Sequence, residues 1–389
     1  MVLKSLTGFI CAIAAVCLTA VGLYASGDFQ IEYNQNTGAF PSRKLRLHSF
    51  ELDAYGMMES IESGSVLVMD ADTGRVIFES GGFTRRFPAS VTKVMTSIIV
   101  LESVGNLDDL IYFSRGAVDL PWYAARLWMV EGETLTVRDA LYGLMLTSGN
   151  ELARALAEHV SGSVESFVDK MNRRAVEMGA YNTHFINPCG LPGPNQFITA
   201  YDIALILNEA VQNPVFVRII STAYYHFPAT IEYPEGRVLR NTHRMIRRTF
   251  EYEFDPRITG GKTGFTNSAQ HTLVSYARLD DFNLIISVLL SPDRVTSFTD
   301  TRLLMDYAFG VLLHEREEKI RREHERLLRE RELALQKQPD TGNTGLPVKY
   351  FFVTPIYMSD TEALAIAASS LGLAILSLGI IKLIYSRKD

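Results

Sequence analysis

The sequence has little cysteine and no excess of positive charge. Three cysteines occur in 389 residues, and two of them, Cys11 and Cys17, lie in an apolar run near the N-terminus. A disulfide framework is therefore excluded for the body of the chain, where Cys189 stands alone and is expected to be a buried loop residue. The formal net charge of −6 gives no general attraction to nucleic acid. With 47 % apolar and 21 % charged residues, the composition also excludes a wholly disordered chain.

Several catalytic signatures are missing as well. His314 and His324 are each followed by glutamate, but neither completes the His-Glu-x-x-His pattern of zinc hydrolases, so no metal or cofactor is predicted. The absence of a Gly-x-Ser-x-Gly turn disfavours an α/β-hydrolase. Gly261-Lys262-Thr263 ends like a phosphate-binding loop. However, Pro256 occupies the place of that loop's first glycine, and a strand rather than a helix is predicted to follow.

The two ends of the chain are among its most apolar parts. Residues 1–27 carry one lysine, an uncharged run and then small residues, which is the order of a secretory signal peptide; an uncleaved N-terminal anchor is the alternative. Residues 363–385 form a second apolar run, long enough to span a bilayer as a helix, with a buried core helix as the alternative. Basic residues follow this run and acidic residues precede it. The pattern predicts a C-terminal transmembrane helix in the cytoplasmic membrane, with residues 28–360 on the outer side.

Residues 61–313 have the pattern of one α+β domain. The segments 65–70 and 75–79 flank a turn and predict a β-hairpin, and further strands are predicted at 272–277 and 283–290. Helical spacing of apolar residues predicts helices at 88–104, 136–142, 151–160, 165–178 and 298–313. Because strands lie on both sides of a helical block, the expected fold is α+β, an antiparallel sheet flanked by helices.

The segments around this domain are polar or charged. Residues 28–60 are mixed in character and predict a leader segment. Residues 314–338 contain many Glu and Arg side chains three or four positions apart, which predicts a solvated, salt-bridged helix acting as a stalk. A helix that binds a partner is the alternative. Residues 339–362 contain proline and glycine and predict a linker to the membrane.

Three short motifs carry the chemistry, in the order Ser90-Val91-Thr92-Lys93, Ser148-Gly149-Asn150 and Lys262-Thr263-Gly264. Each alone is a weak signal, since a helix cap, a turn and a surface strand would explain them separately. Their contexts add specificity. The first follows a proline at the start of a predicted helix, the second lies in a tight turn between helices, and the third begins strand-like sequence. Together they indicate an enzyme active site.

The first motif pairs a nucleophile with a base. A serine hydroxyl is a poor nucleophile at neutral pH and needs an adjacent base. Positions i and i+3 share one face of a helix, so Lys93 can reach the hydroxyl of Ser90. Burial and the positive charge of Lys262 would lower the pKa of Lys93 and leave a neutral fraction able to take the proton. The helix N-terminus favours negative charge forming at Ser90.

The other two motifs supply groups for the substrate. Ser148 can relay a proton to a leaving amine, and the amide of Asn150 can both donate to and accept from a peptide bond. The pair Lys262-Thr263 fits a terminal carboxylate. The backbone N–H groups of Ser90 and Phe265 would form an oxyanion hole.

In these residues the sequence resembles the penicillin-binding D-alanyl-D-alanine carboxypeptidases, low-molecular-mass serine peptidases that share a fold with class A β-lactamases. The resemblance covers residues 65–313 and includes the turn at 70–74, the stretch 141–150 and the loop 182–191. It implies that Ser90 is the acylated nucleophile and Lys93 its base. It implies further roles for second-motif groups and for a substrate-binding strand, namely Ser148, Asn150, Lys262, Thr263 and Gly264.

The reaction implied by the resemblance removes the terminal D-alanine from peptidoglycan stem pentapeptides through an acyl-enzyme that water hydrolyses. β-Lactams would acylate Ser90 as covalent inhibitors. The alternatives are a D,D-endopeptidase or β-lactamase of the same fold, or a catalytically silent membrane-anchored scaffold. No glutamate that would activate water is identifiable from the sequence, which disfavours fast β-lactam hydrolysis.

The sequence departs from the family pattern in three respects. Many members carry a separate β-domain and an amphipathic C-terminal helix, and neither is expected here. The segment Pro121-Trp122-Tyr123 and Trp128 make the stretch before the second motif more aromatic than usual. Phe265 stands where members often have His or Tyr, although the oxyanion hole needs its backbone alone.

Overall fold

The computed structural model describes residues 60–249 and 254–336. The predicted signal segment 1–27, the linker 339–362, the transmembrane helix 363–385 and all of the leader 28–60 except its last residue lie outside the described residues. Within the described residues, no single helix is both long enough and apolar enough to cross a membrane.

A five-stranded antiparallel sheet forms the centre of the fold, as the sequence predicts. In spatial order its strands are β2 (Val76–Ser80), β1 (Ser65–Asp70), β9 (Phe282–Ser291), β8 (Gln270–Leu279) and β7 (Ile258–Thr266). Strand β1 pairs with β9, for example Met69 opposite Ile285, so the two ends of the domain form one sheet. Strand β7 is an edge strand, and one row of its backbone groups therefore has no partner strand among the described residues.

The strand that carries the third motif starts earlier than the sequence indicates. Lys262 lies in the middle of β7, which begins at Ile258. The strand contains Gly260 and Gly261, which have low strand propensity and hide its beginning. Both glycines are required by packing, because a Cβ at Gly260 would lie 2.3 Å from the carbonyl oxygen of Ile220, and a Cβ at Gly261 1.9 Å from that of Val274.

The helical block lies between β2 and β7 in the chain. Its helices are α1 (Lys93–Ser103), α2 (Arg115–Val118), α3 (Val137–Thr147), α4 (Asn150–Ser161), α5 (Val164–Glu177), α6 (Ala200–Ala210) and α7 (Pro214–Ser221). Two small hairpins accompany them, β3 (Leu110–Tyr112) with β4 (Thr134–Thr136), and β5 (Tyr224–Phe227) with β6 (Arg237–Arg240). Side chains at the N-caps, among them Thr136, Ser163 and Thr199, accept hydrogen bonds from backbone N–H groups and fix where the helices begin.

The helix predicted to start at Pro88 begins differently. Residues Ala89–Thr92 form a 3₁₀ helix, and the α-helix α1 starts only at Lys93. Pro88 precedes the first helical turn, and Ala89 has a φ of 49°, in the left-handed region. The first motif therefore lies on a tight and strained turn.

Two apolar clusters hold the sheet between layers of helices. Successive side chains of a strand point to opposite faces. Accordingly Leu67 of β1 belongs to the cluster shared with the helical block, and Val66 and Val68 to the cluster on the other face. That second face is covered by the helix that follows β9, through Phe298, Leu304, Met305, Ala308, Phe309 and Leu312.

The helices predicted at 298–313 and 314–338 are one continuous helix, α8 (Arg294–Gln336). The junction of the two predicted helices, at residues 313 and 314, contains no proline or glycine. The helix therefore continues from the amphipathic part of the sequence into the charged part. Glu315 accepts a bidentate hydrogen bond from Arg75, at 2.9 and 2.7 Å, and Arg316 donates to Asp281 at 2.7 Å.

The described residues beyond Arg321 form a separate unit. Their side chains are exposed as far as residue 334. Arg326 forms ion pairs with Glu323 and Glu330 on neighbouring turns of the helix. These features are those of a solvated, salt-bridged helix in the part that the structure describes.

The two parts of α8 differ in burial, so truncating a side chain should change the free energy of unfolding by different amounts in the two parts. F309A removes a ring that is 2 % exposed and packed in the second cluster. It should lower the free energy of unfolding by about 3–5 kcal/mol. L327A, at a side chain that is 39 % exposed, should change it by less than about 0.5 kcal/mol. Urea unfolding of both variants checks this, and equal losses would contradict the assignment of α8 to two units.

Candidate active site

Lys93 is placed to act as the base for Ser90. Its Nζ lies 3.1 Å from Oγ of Ser90, as the spacing of the first motif predicts. The same amine donates to Oδ1 of Asn150 at 2.7 Å and to the carbonyl oxygen of Cys189 at 2.6 Å. The side chain of Lys93 is fully buried, whereas that of Ser90 is partly open to solvent. The hydroxyl therefore faces the substrate side and the amine is held behind it.

Burial makes Lys93 a usable base. It lowers the pKa of the lysine from 10.5 to about 8, although the negative charge of Glu151 acts in the opposite direction. At neutral pH about one lysine in ten is then uncharged and able to accept the serine proton. The sequence also predicts a contribution from the charge of Lys262, but in the structure burial is what lowers the pKa of Lys93, and the repulsion between the two amines lowers the pKa of Lys262 instead.

Lys262 lies on β7 and is also buried. Its Nζ donates to the carbonyl oxygen of Thr263 at 2.9 Å. Burial, and secondly repulsion from protonated Lys93, hold the pKa of Lys262 well below its ordinary value. Two amines thus share a region of low dielectric, and holding protons on both at once is unfavourable.

Two glycines let other backbone segments approach Ser90. A Cβ at Gly264 would lie 2.7 Å from the backbone nitrogen of Ser90, and a Cβ at Gly190 would lie 1.8 Å from the carbonyl oxygen of Ala89. Gly190 also has a φ of 84°, which favours glycine. Strand β7 and the loop at residue 190 consequently lie against the backbone of Ala89 and Ser90 on two sides. This brings the segment before Phe265 beside the N–H of Ser90, as a two-donor oxyanion hole requires.

Ser148 occupies a strained position at the end of α3. Its φ is 70°, in the left-handed region. Its Oγ is buried without a hydrogen-bond partner among the described residues, although the residue itself lines the cleft described below. An unpaired hydroxyl in the cleft that Ser90 also lines is available to a substrate or to a transferred proton.

Asn150 makes contacts that the sequence does not indicate. The residue is 3 % exposed, and besides accepting from Lys93 it donates through Nδ2 to the carbonyl oxygen of Ala125 at 3.0 Å. The sequence predicts an amide that contacts a substrate peptide bond. The structure shows an amide that holds the base and retains one N–H for such a contact.

A cleft of about 850 Å³ opens over these groups. Six of the eight predicted site residues line it: Ser90, Ser148, Asn150, Thr263, Gly264 and Phe265. The other two, Lys93 and Lys262, are buried against lining residues. Oγ1 of Thr263 is 2.7 Å from Oγ1 of Thr242, so a second hydroxyl stands beside the third motif. The structure thus brings all three motifs to one site.

Positively charged side chains line the cleft, and they lie outside the three sequence motifs. Four arginines line it, and no Asp or Glu is among the described lining residues: the arginines are Arg240, Arg244, Arg247 and Arg294. They lie outside the motifs and come from β6, the segment after it and the start of α8. In the sequence, the cluster of basic residues at 244–248 stands out because the chain as a whole is acidic, and it indicates part of this positive lining. Such a lining favours an anionic substrate.

Fold and site together have the arrangement of a serine peptidase, with a serine hydroxyl held against a buried lysine amine. The family model described as D-alanyl-D-alanine carboxypeptidase, peptidase S11, matches residues 53–293. The chain therefore belongs to the D-alanyl-D-alanine carboxypeptidase family.

Individual relatives agree with this assignment. The chain is 30 % identical over 253 residues to the D-alanyl-D-alanine carboxypeptidase DacF of Bacillus subtilis, a match that covers 64 % of this chain and 62 % of DacF, less than two thirds of its length. It is 31 % identical over 250 residues to DacB2 of Mycobacterium tuberculosis, covering 63 % and 81 %. The crystal structure of the Streptomyces K15 DD-transpeptidase aligns with a TM-score of 0.59 at 29 % identity, covering 64 % of this chain and 98 % of that one.

The buried amine of Lys93 predicts how stability depends on pH. Because its pKa is about 8 in the folded chain and 10.5 ordinarily, the unfolded chain holds more protons between these values. The free energy of unfolding should therefore rise with pH across this window, by about 3 kcal/mol from Lys93. Urea unfolding at pH 7.5 and pH 10.5 checks this in the wild type and in K93M. The variant should show a smaller rise, and an unchanged rise would contradict the assignment.

Proposed function

We propose that this chain is a penicillin-sensitive serine D-alanyl-D-alanine carboxypeptidase that removes the terminal D-alanine from peptidoglycan stem pentapeptides. The observation that carries the proposal is the 3.1 Å contact between Nζ of Lys93 and Oγ of Ser90, made by a buried lysine with a lowered pKa. The same contact in a member of this family supports acyl transfer through Ser90.

In the acylation step, Oγ of Ser90 attacks the carbonyl carbon of the penultimate D-alanine and its proton passes to Nζ of Lys93. The carbonyl oxygen becomes negative and is stabilised by the N–H groups of Ser90 and Phe265. The C–N bond then breaks, and the departing D-alanine amine receives a proton by way of Ser148. Water attacks the resulting ester in the second step, which releases the shortened peptide and restores the serine hydroxyl.

The terminal carboxylate of the substrate is the group that the positive lining fits. Thr263 presents its hydroxyl on the edge strand, and the described residues of the adjoining lining include arginines and no Asp or Glu. Arg294 is close enough to His271 to lower the pKa of that histidine, after burial, and the ring of His271 lies 4.6 Å from that of Phe265. Arg294 is therefore near the third motif, where the carboxylate would lie.

The proposed location of the enzyme rests on two segments predicted from the sequence. The predicted signal segment 1–27 and the predicted transmembrane helix 363–385 support a single-pass protein of the cytoplasmic membrane. In this proposal, residues 28–360 lie outside the cell, where peptidoglycan is found, and α8 with the linker 339–362 connects the catalytic domain to the membrane.

The proposal predicts hydrolysis that depends on Ser90. The purified protein should release D-alanine from an acyl-D-alanyl-D-alanine peptide, and penicillin should add its mass to Ser90. S90A should lower both rates by at least about a thousandfold. S103A is the matched control, because Ser103 lies at the far end of α1 and contacts Lys170 instead.

Three outcomes separate the alternatives. Absence of both D-alanine release and penicillin labelling in the wild type would contradict the proposal and favour a silent scaffold. Cleavage of a cross-linked peptide dimer in preference to the linear peptide would favour an endopeptidase. Rapid turnover of penicillin, without a lasting adduct, would favour a β-lactamase.

The arginine-lined cleft predicts a dependence on the substrate's carboxylate. R294Q should raise KM for a peptide with a free C-terminus by about tenfold, because a hydrogen bond to a charged group is lost. It should have little effect on a peptide whose C-terminus is amidated. R278Q is the control, since Arg278 is exposed on β8 but does not line the cleft. Equal effects of R294Q on the two peptides would contradict this role.

A further inference from the structure

One side of the cleft is formed by a loop that the three motifs do not include. This rim loop, residues 121–130, follows α2 and contains the aromatic residues that distinguish this stretch of the sequence. Tyr123, Ala124 and Ala125 line the cleft, and Trp122 is 90 % exposed at its edge. The loop has no regular secondary structure, so its position depends on specific contacts.

The rim loop is held firmly at Leu127. Its side chain is 2 % exposed and packs beside the second motif, where a Cβ at Gly149 would lie 2.6 Å from Cδ1 of Leu127. The carbonyl oxygen of Leu127 accepts a hydrogen bond from Nη2 of Arg237 at 2.6 Å. Its N–H donates to Oε1 of Glu151.

Glu151 is a buried carboxylate with no role in the proposed mechanism. It is 1 % exposed and lies in the first turn of α4, directly after Asn150. The N–H of Leu127 donates to its Oε1, and the N–H groups of Trp128 and Met129 lie near enough to stabilise its negative charge, while Oε2 has no hydrogen-bond partner among the described residues. Trp128 has a φ of 64°, a strained value for a bulky residue, and this turn directs the three successive N–H groups to one carboxylate.

The rim loop also fixes the amide that holds the base. The carbonyl oxygen of Ala125 accepts from both the backbone N–H of Asn150, at 2.9 Å, and its Nδ2, at 3.0 Å. Because Nδ2 points to Ala125, Oδ1 must point the other way, and there it accepts from Nζ of Lys93. Ala125 is two residues from Leu127. A shift of the loop at Leu127 therefore changes the orientation of the amide and the contact with the amine.

We propose that Glu151 is a positioning residue for the acylation of Ser90. Its carboxylate holds the rim loop so that Ala125 orients Asn150, and Asn150 in turn orients Lys93. This inference rests on the proposed function, because acylation of Ser90 is its readout. A carboxylate suits this position because its negative charge interacts favourably with the backbone N–H groups of three successive residues. A glutamine removes that charge while keeping nearly the same shape.

The chain contains a matched control for this proposal. Glu133 is 9 % exposed and also holds the rim loop, at its far end, by accepting from the N–H of Val130 at 2.7 Å. It accepts from the N–H of Ile231 as well, at 2.5 Å. Glu133 therefore stabilises the same region with similar bonds. Its contacts do not include Ala125 or Asn150.

The experiment compares the full-length wild type with E151Q and E133Q. The second-order rate of acylation by benzylpenicillin is measured from pH 5 to 10, together with thermal unfolding. E151Q should acylate between about tenfold and a hundredfold more slowly, because displaced reacting groups cost that much. E133Q should remain within about twofold of the wild type while losing a similar amount of thermal stability.

The pH profile separates positioning from a general loss of structure. The groups that face Lys93 are Glu151 from α4, Cys189 from the loop and Lys262 from β7. Removing the negative charge of Glu151 and weakening the contact with Asn150 both favour the neutral amine. The acid limb of the acylation profile should therefore move to lower pH in E151Q and stay in place in E133Q.

Each result decides a stated point. If E151Q acylates as fast as E133Q with an unshifted acid limb, Glu151 has only a structural role and the inference is wrong. If the wild type is not acylated, the proposed function fails instead. Should E151Q not accumulate as folded protein, R237Q replaces it, because it removes the other backbone hydrogen bond to Leu127. A smaller loss in the same direction is expected there, and an unchanged rate would overturn the inference.

Discussion

The active site depends on one buried amine. Taking a lysine out of water is costly, and Lys93 is accommodated because three oxygen atoms from separate parts of the chain surround its Nζ. These belong to Ser90 on the 3₁₀ turn, Asn150 on α4 and Cys189 on the loop between α5 and α6. The helical block must therefore pack correctly before the base exists. The same burial lowers the pKa of the lysine, so the packing that stabilises the domain also creates its chemistry.

A second constraint is the close approach of an edge strand to the nucleophile. Substrate hydrogen bonds require a strand with a free edge, and β7 has one because it ends the sheet. Because this edge lies beside Ser90, there is no space for a side chain at Gly264. Because β7 also packs closely against Ile220 and Val274, there is no space for side chains at Gly260 and Gly261. The strand thus contains residues with low strand propensity, and its stability comes from pairing with β8 and from packing.

Features set by short-range geometry were predictable from the sequence. The i and i+3 spacing of Ser90 and Lys93 predicts their contact, and apolar periodicity predicts the sheet and most of the helices. Features that depend on the tertiary fold were not. The acceptors for Lys93 at Asn150 and Cys189 are 57 and 96 residues away in the chain, and the arginines of the cleft come from three further segments. The start of β7 was also missed, because its glycines have a packing function that the sequence alone does not reveal.

The distribution of charge connects the site to the rest of the molecule. The chain as a whole is acidic, yet the described lining of the cleft carries arginines and no carboxylate. Two buried carboxylates, those of Glu151 and Glu133, instead accept hydrogen bonds from backbone N–H groups of the rim loop. Glu151 and Glu133 therefore stabilise one wall of the cleft, whereas the charged side chains among its described lining residues are arginines. On the buried side, the negative charge of Glu151 partly offsets the cost of the Lys93 ammonium.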